Sequence, residues 1–348
     1  MNELATALLG RGHEVAVLSG LAGDGWGGLG RRVSLKFARS LVVKDERLGY
    51  PVFRSWSAEA GVADAIRAFR PDVAVPFSGS TVPMSLAFER LGVPSVPYYR
   101  NVEATDFGGD PASSGSPILA NSCFTAARLA ERYGVNATVI APLFDASRYR
   151  TPGEGRHVTF INPHPDKGRD LAFAIARACP DIPFLFVRAW TLTDEQEREL
   201  NRLDRACPNV ELRARTDDMR SIYTRTRILI MPSRWEEAWG RAATEAQFSG
   251  IPVVATAIGG LPQSVGPGGV LLPHEAGADR WARVVREIYN DTEAYSDLSG
   301  AAMMHSQRDA VDPRMQIATF LNVLETAVNA GGRANAVARS TKARRSLI

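Results

Sequence analysis

The stretch Met231 to Thr256, MPSRWEEAWGRAATEAQFSGIPVVAT, narrows the choice of architecture more than any other part of this chain. The apolar run Ile228-Leu229-Ile230-Met231 is stopped by Pro232 and Ser233, which suits a buried parallel strand ending at a binding edge. From about Gly240 the pattern turns helical. Ala242, Ala243, Ala246 and Phe248 lie among good helix formers, Gly250 and Pro252 close the segment, and Val253-Val254-Ala255 begins another strand. Strand, loop, helix and strand in so short a span predict a right-handed crossover within a parallel sheet.

The same alternation runs through the chain, so an α/β protein with parallel sheets is expected. In the first half the predicted strands are His13 to Leu18, Val73 to Pro76, Ser95 to Tyr98, Ile118 to Ala120 and Ala137 to Ile140. In the second they are Val158 to Ile161, Phe184 to Val187, Val210 to Leu212, Ile228 to Met231, Val253 to Ala255 and Gly269 to Leu272. At 348 residues the chain suits two units of ordinary size. The polar, turn-rich stretch Tyr149 to Arg156 places a boundary there, giving one domain over 1–150 and a second over 151–312. A C-terminal helix over 313–330 and a basic disordered tail over 331–348 complete the division.

Apolar residues at 45% and charged residues at 23% exclude a disordered chain. No apolar run reaches the ~20 residues that span a bilayer, and no basic-then-apolar leader opens the sequence. The three cysteines, Cys123, Cys179 and Cys207, have no metal-ligand spacing, and the five histidines are scattered. Reduced thiols in a cytoplasmic protein without a metal site are the expectation. The tail from Gly331 carries five basic residues and no acids, so removing it from the net charge of +3 leaves −2. Positive charge is therefore a tail property and gives no nucleic-acid signature.

The acids of the 231–256 unit suggest the chemistry. Glu237 falls in the loop before the helix, at the mouth where open α/β sheets bind ligands, and Glu245 lies two helical turns on. A carboxylate only accepts, and takes two hydroxyl hydrogen bonds at once, so paired acids there suit polyols such as a ribose and a hexose. The helix start at Gly240 and Arg241 favours a phosphate between them. The ordinary alternative is that Glu236 and Glu237 charge a helix N-terminus while Glu245 forms a surface ion pair.

The sequence EAWGRAATE, Glu237 to Glu245, followed by AQFSGIPVVA, resembles the E-x7-E segment of family-4 retaining glycosyltransferases of the GT-B fold. Val158 to Gly168, VTFINPHPDKG, resembles that family's first donor-domain strand and phosphate loop, with Lys167 matching the lysine that meets the donor diphosphate. Ala257 to Gln263 resembles its GG-x-PE loop, Gly266 to Leu272 the strand beyond, and Ile118 to Ser122 and Val139 to Asp145 the end of its acceptor domain. The resemblance implies two Rossmann-like domains facing across a cleft. It implies transfer of a sugar from a UDP- or GDP-sugar, with retained configuration and without a metal or other cofactor. Glu237 would hold the transferred sugar, Lys167 the leaving diphosphate and Glu245 the ribose, with Ala238, Trp239, Gly240, Arg241, Asn162, His164 and Arg188 completing the donor site. The base would lie against Val210 to Arg215.

Three departures from the family pattern stand out. The chain opens with NELATALLGRGHEVAVL, which reads as a first helix and second strand, so the family's first strand and glycine-rich loop are expected to be lacking. An arginine often stands five residues before the phosphate-loop lysine, where this chain has Asn162. Arg241, Arg188 and Arg234 are candidate replacements, although a local pair with Glu236 or Glu237 is the stronger expectation for Arg234. No histidine lies between His13 and His157 to match the family's acceptor-domain histidine. The equivalent loop is Tyr98 to Glu103, where Arg100 or Asn101 either faces the sugar or is an ordinary loop residue.

The acceptor would be a glycan, a lipid-linked or a small molecule, as in cell-surface polysaccharide biosynthesis. Arg31 to Leu41 is basic with apolar interleaving, and reads either as a peripheral contact with the inner membrane face or as a solvated helix. Two other functions share the pattern: a GT-B protein that binds nucleotide sugar without catalysis, and a sugar-nucleotide 2-epimerase.

Overall fold

The computed structural model describes residues 2–21, 40–77, 79–152 and 155–345, with side chains through residue 331. The basic stretch 31–41 falls almost entirely outside them, as do the side chains of the basic tail. The chain divides into two compact units, one of residues 1–121, 125–140 and 314–348, the other of residues 122–124 and 141–313. The division falls between Ile140 and Ala141 rather than in the polar stretch near Tyr149. The reason is packing: Ala141, Phe144 and Tyr149 are buried in the second unit's core with Phe248 and Ala246.

In the first unit β1 (Val17–Gly20) runs parallel to β3 (Val52–Ser55), and β2 (Val43–Asp45) antiparallel to it. A second sheet, β4 (Tyr98–Tyr99), β5 (Ile118–Ala120) and β6 (Ala137–Val139), is parallel. The antiparallel β2 corrects the expectation of parallel pairing throughout. It escapes detection because it is three residues long and two of them are charged, Lys44 and Asp45. The predicted strand Val73 to Pro76 reduces to a single parallel bridge between Ala74 and Ser95. Prolines explain the shortening, since Pro76, Pro94 and Pro97 have no N–H for a ladder, and β4 begins only after Pro97. The last helix, Pro313–Arg345, buries Ile317, Phe320, Val323 and Ala327 at helical spacing. Its backbone stays helical from Gly331 to Arg345, where the sequence reads as a disordered tail.

The second unit is built on six parallel strands: β7 (His157–Ile161), β8 (Phe184–Val187), β9 (Val210–Arg213), β10 (Thr226–Met231), β11 (Val253–Thr256) and β12 (Gly269–Leu272). Their spatial order is β12-β11-β10-β7-β8-β9, the 3-2-1-4-5-6 arrangement of doubly wound dinucleotide-binding sheets. Successive side chains point to opposite faces. Phe184, Phe186, Ile228, Ile230 and Val254 enter a core with the helices Arg169–Ala178, Asp194–Arg205 and Ala278–Asn290. Leu229, Val253 and Ala255 enter the opposite one with the helices Arg241–Gln247 and Leu261–Val265. Both faces of the central strands are covered, which is why Phe184–Val187, Ile228 to Met231 and Val253 to Ala255 read as continuous apolar runs. Among the described residues no helix is long and apolar enough to cross a membrane.

Candidate functional site

In this strand order the sheet winds outward in both directions from β7 and β10, and the loops leaving their carboxyl ends lie side by side at the switch point. Asn162 to Lys167 follows β7, and Pro232 to Gly240 follows β10. The N–H groups of Arg234 and Trp235 both donate to the Asp166 carbonyl, at 2.8 and 3.1 Å. Gly168 lies at φ +82, and a Cβ there would come within 1.9 Å of the Pro232 carbonyl oxygen. Only glycine fits both the left-handed conformation and that approach. The Gly259-Gly260 pair performs the same service on the other side. Cβ atoms there would lie 2.4 Å from the carbonyl oxygens of Glu237 and Ala238, and the Gly260 N–H donates to Glu237 O at 2.6 Å.

These contacts bring Lys167 and Glu237 together across 70 residues of chain. Lys167 Nζ donates to Glu237 Oε1 at 2.8 Å, the Ser233 hydroxyl donates to the same oxygen at 2.9 Å, and both charged side chains are largely buried. Lys167 is further flanked by the Trp190 ring, whose centroid is 4.6 Å from Nζ. The His164 ring meets Trp190 edge-on at 5.2 Å, and its Nδ1 accepts from the Asp166 N–H at 3.3 Å. Asn162, at φ +69, accepts the main-chain N–H of Trp190 on Oδ1 at 3.1 Å.

Glu245 belongs to a second group. It is buried, with Oε1 accepting from Arg241 Nε at 3.2 Å and Oε2 from the Tyr223 hydroxyl at 3.0 Å. Burial first, and the adjacent carboxylate second, push the Tyr223 phenol far above its usual range, so it remains a donor. Arg241 also donates to Leu143 O and the Tyr149 hydroxyl, each at 3.2 Å, and lies 4.4 Å from the Phe144 ring centroid.

The other predicted residues are placed as follows. Gly240, at φ +84, opens the helix Arg241–Gln247, and a Cβ there would meet Leu261 Cδ2 at 2.4 Å. Trp239 is a core residue whose indole N–H donates to Thr244 Oγ1, so its ring serves packing rather than the mouth of the site. Arg188 Nη1 donates to both oxygens of Glu197 at 2.6 Å. The expected pairing of Arg234 with Glu236 or Glu237 is corrected. Its guanidinium donates to the His274 carbonyl at 2.9 Å, because Glu237 is drawn to Lys167 and Ser233 instead. Asn101 bonds the Asp106 carboxylate, and the Arg100 guanidinium lies 5.9 Å from the Tyr98 ring. Sequence reasoning missed Trp190, Ser233 and Tyr223. The available signal for Trp190 was a large aromatic just past the carboxyl end of a buried strand.

The doubly wound sheet thus carries an acid-lysine pair at its switch point, and a second acid tethered on the helix that follows β10. The fold is shared with solved structures. A glycosyltransferase from Rickettsia africae aligns with a TM-score of 0.74 at 16% identity, covering 94% of this chain and 93% of that one. HepE from Anabaena, solved in complex with UDP-glucose, aligns with a TM-score of 0.70 at 19% identity, covering 93% and 96%. Residues 167–291 match the family of glycosyl transferases group 1. Curated relatives include D-inositol 3-phosphate glycosyltransferases from Corynebacterium aurimucosum, 39% identical over 89 residues, and from an Arthrobacter species, 40% identical over 82. These alignments cover 25% and 23% of this chain and 21% and 19% of the two relatives.

Proposed function

We propose that the chain transfers a glycosyl unit from a nucleotide sugar to a hydroxyl acceptor with retention of configuration. The observation that carries this reading is the Lys167–Glu237 contact of 2.8 Å at the switch point of the sheet. A cation and an acceptor-only carboxylate held side by side match the two ends of the bond to be broken. The ammonium faces the leaving diphosphate, and the carboxylate takes the hydroxyls of the departing sugar. As the glycosidic C–O bond breaks, negative charge gathers on the diphosphate and the sugar gains oxocarbenium character. A fixed ammonium answers that charge without reorganising, and one such donor is commonly worth about 100- to 1000-fold in rate.

Glu245, held by Arg241 and Tyr223, is the acid proposed to accept the ribose hydroxyls. Lys167 supplies the charge that a metal supplies in other transferases, so the reaction is proposed to run without one. Front-face attack by the acceptor accounts for retention with Glu237 engaged by Lys167 and Ser233 rather than free as a nucleophile. The acceptor is a glycan, a lipid-linked or a small molecule. The curated relatives' own names make D-inositol 3-phosphate the first to try.

The test is isothermal titration of the wild type and Glu245→Ala with UDP, GDP and their sugar conjugates, with EDTA present. Donor binding by the wild type, weakened in the variant, supports the site. The anomeric proton coupling of the product, read by NMR once an acceptor is found, then decides retention. A folded wild type that binds no donor sinks the proposal, and donor binding without transfer to any acceptor leads to the non-catalytic reading.

A further inference from the structure

Trp190 is large, aromatic and 48% exposed, yet it is not loosely placed. Its main-chain N–H is held by Asn162 Oδ1, its ring packs T-shaped against His164, and its face lies 4.6 Å from Lys167 Nζ. Asn162 is itself buried at φ +69, a left-handed conformation that asparagine tolerates better than most residues. The position often taken by an arginine in the resembled family is thus spent on a hydrogen-bond acceptor. An arginine has none and could not hold the Trp190 N–H.

We propose that Trp190, anchored by Asn162, is a positioning residue that keeps the Lys167 ammonium aimed at the donor diphosphate. The proposal rests on the donor-site reading above and explains how the site works with asparagine at position 162. A lysine ammonium sits at the end of a flexible four-carbon stem. In the structure Glu237 restrains it, but Glu237 must release the ammonium in part when it takes sugar hydroxyls. The Trp190 face attracts the cation by its quadrupole and engages no N–H of the ammonium. The restraint therefore persists while the three N–H donors turn from Glu237 to phosphate oxygens. Direct charge at residue 162 is exchanged for better placement of the charge at residue 167.

The experiment compares wild type, Trp190→Leu and Trp190→Phe. Leucine keeps an apolar side chain without a ring, and phenylalanine keeps the ring. Affinities for UDP and GDP are measured beside those for uridine and guanosine. Trp190→Leu is expected to weaken the nucleoside diphosphate by about 3- to 30-fold, to leave the nucleoside unchanged, and to be largely rescued in Trp190→Phe. Equal diphosphate affinity in wild type and Trp190→Leu, or an equal loss for the nucleoside, overturns the proposal.

A second readout needs no nucleotide. The chain has four lysines, Lys36, Lys44, Lys167 and Lys342, so the 13Cε signal of Lys167 is assignable with Lys167→Arg. An upfield ring-current shift in wild type and Trp190→Phe, lost in Trp190→Leu, supports the positioning role. Its absence from the wild type refutes it. If the wild type binds neither UDP nor GDP, the donor reading fails, and the lysine signal still decides the role of Trp190.

Discussion

The coupling between Lys167 and Glu237 is measurable by a double-mutant cycle with Lys167→Met and Glu237→Gln. At 2.8 Å and an effective dielectric constant of about 20, the bare attraction is about 6 kcal/mol. Both side chains are nearly out of water, at 12% and 13% exposure, so desolvation offsets much of that. A net coupling of about 1 to 3 kcal/mol is expected. Lys167→Met should be the costlier single change, because it leaves the Glu237 carboxylate with the Ser233 hydroxyl and no cation at that contact. The double variant removes both charges and should recover part of the loss. Urea unfolding of the four proteins reads the cycle directly, provided m is unchanged. Additivity within about 0.5 kcal/mol would show that the two charges do not hold one another, and would remove the basis for reading them as one site. In titrations, Lys167→Met should lose affinity for UDP or GDP while keeping that for the nucleoside. A uniform loss would indicate a damaged fold instead.

Other outcomes follow from the same geometry. Tyr223→Phe removes a buried donor to the Glu245 carboxylate and should cost about 1 to 2 kcal/mol in urea unfolding, with nucleotide affinity falling as Glu245 loses its restraint; unchanged values for both would refute the tether. Gly168→Ala places a methyl 1.9 Å from Pro232 O at φ +82. It should destabilise by more than about 2 kcal/mol and weaken donor binding as the two loops are pushed apart, and a near-neutral effect on both would contradict the close approach. The Arg225 hydrogen bond, ahead of the general field, lowers the Glu211 carboxyl from 4.5 to about 2. Its contribution to stability is therefore complete above about pH 4.5 and lost as pH falls toward 2. The pair is partly exposed, so the effect should stay under about 1 kcal/mol. Glu211→Gln should flatten that limb of the stability profile, and an identical acid limb in the variant would count against the assignment.

Phe184–Val187 was legible to the residue, because a strand buried on both faces writes itself as an apolar run between turn residues, and Gly269–Leu272 was legible as a short apolar run after the glycines at 266, 268 and 269. The short strands at 43–45 and 52–55 were not, since the first is mostly charged and the second carries Arg54. Lys167 had a further sequence signal. Only four of the chain's 41 basic side chains are lysines, and one stands in the phosphate loop, where a compact, turning ammonium serves better than a planar guanidinium.

By itself the sequence determined the α/β alternation, the loops that bear chemistry and the two acids, because periodicity, turn residues and spacing are local properties of a chain. Which cation meets which acid was decided only by the tertiary structure. Lys167 reaches Glu237 across 70 residues because β7 and β10 are neighbours in the sheet, while Arg241, four residues from Glu245, turns to that acid and to Tyr149. Arg234, close to Glu237 in sequence, goes instead to a carbonyl of His274. Pairing depends on strand order and loop approach, and those are set by packing the whole sheet.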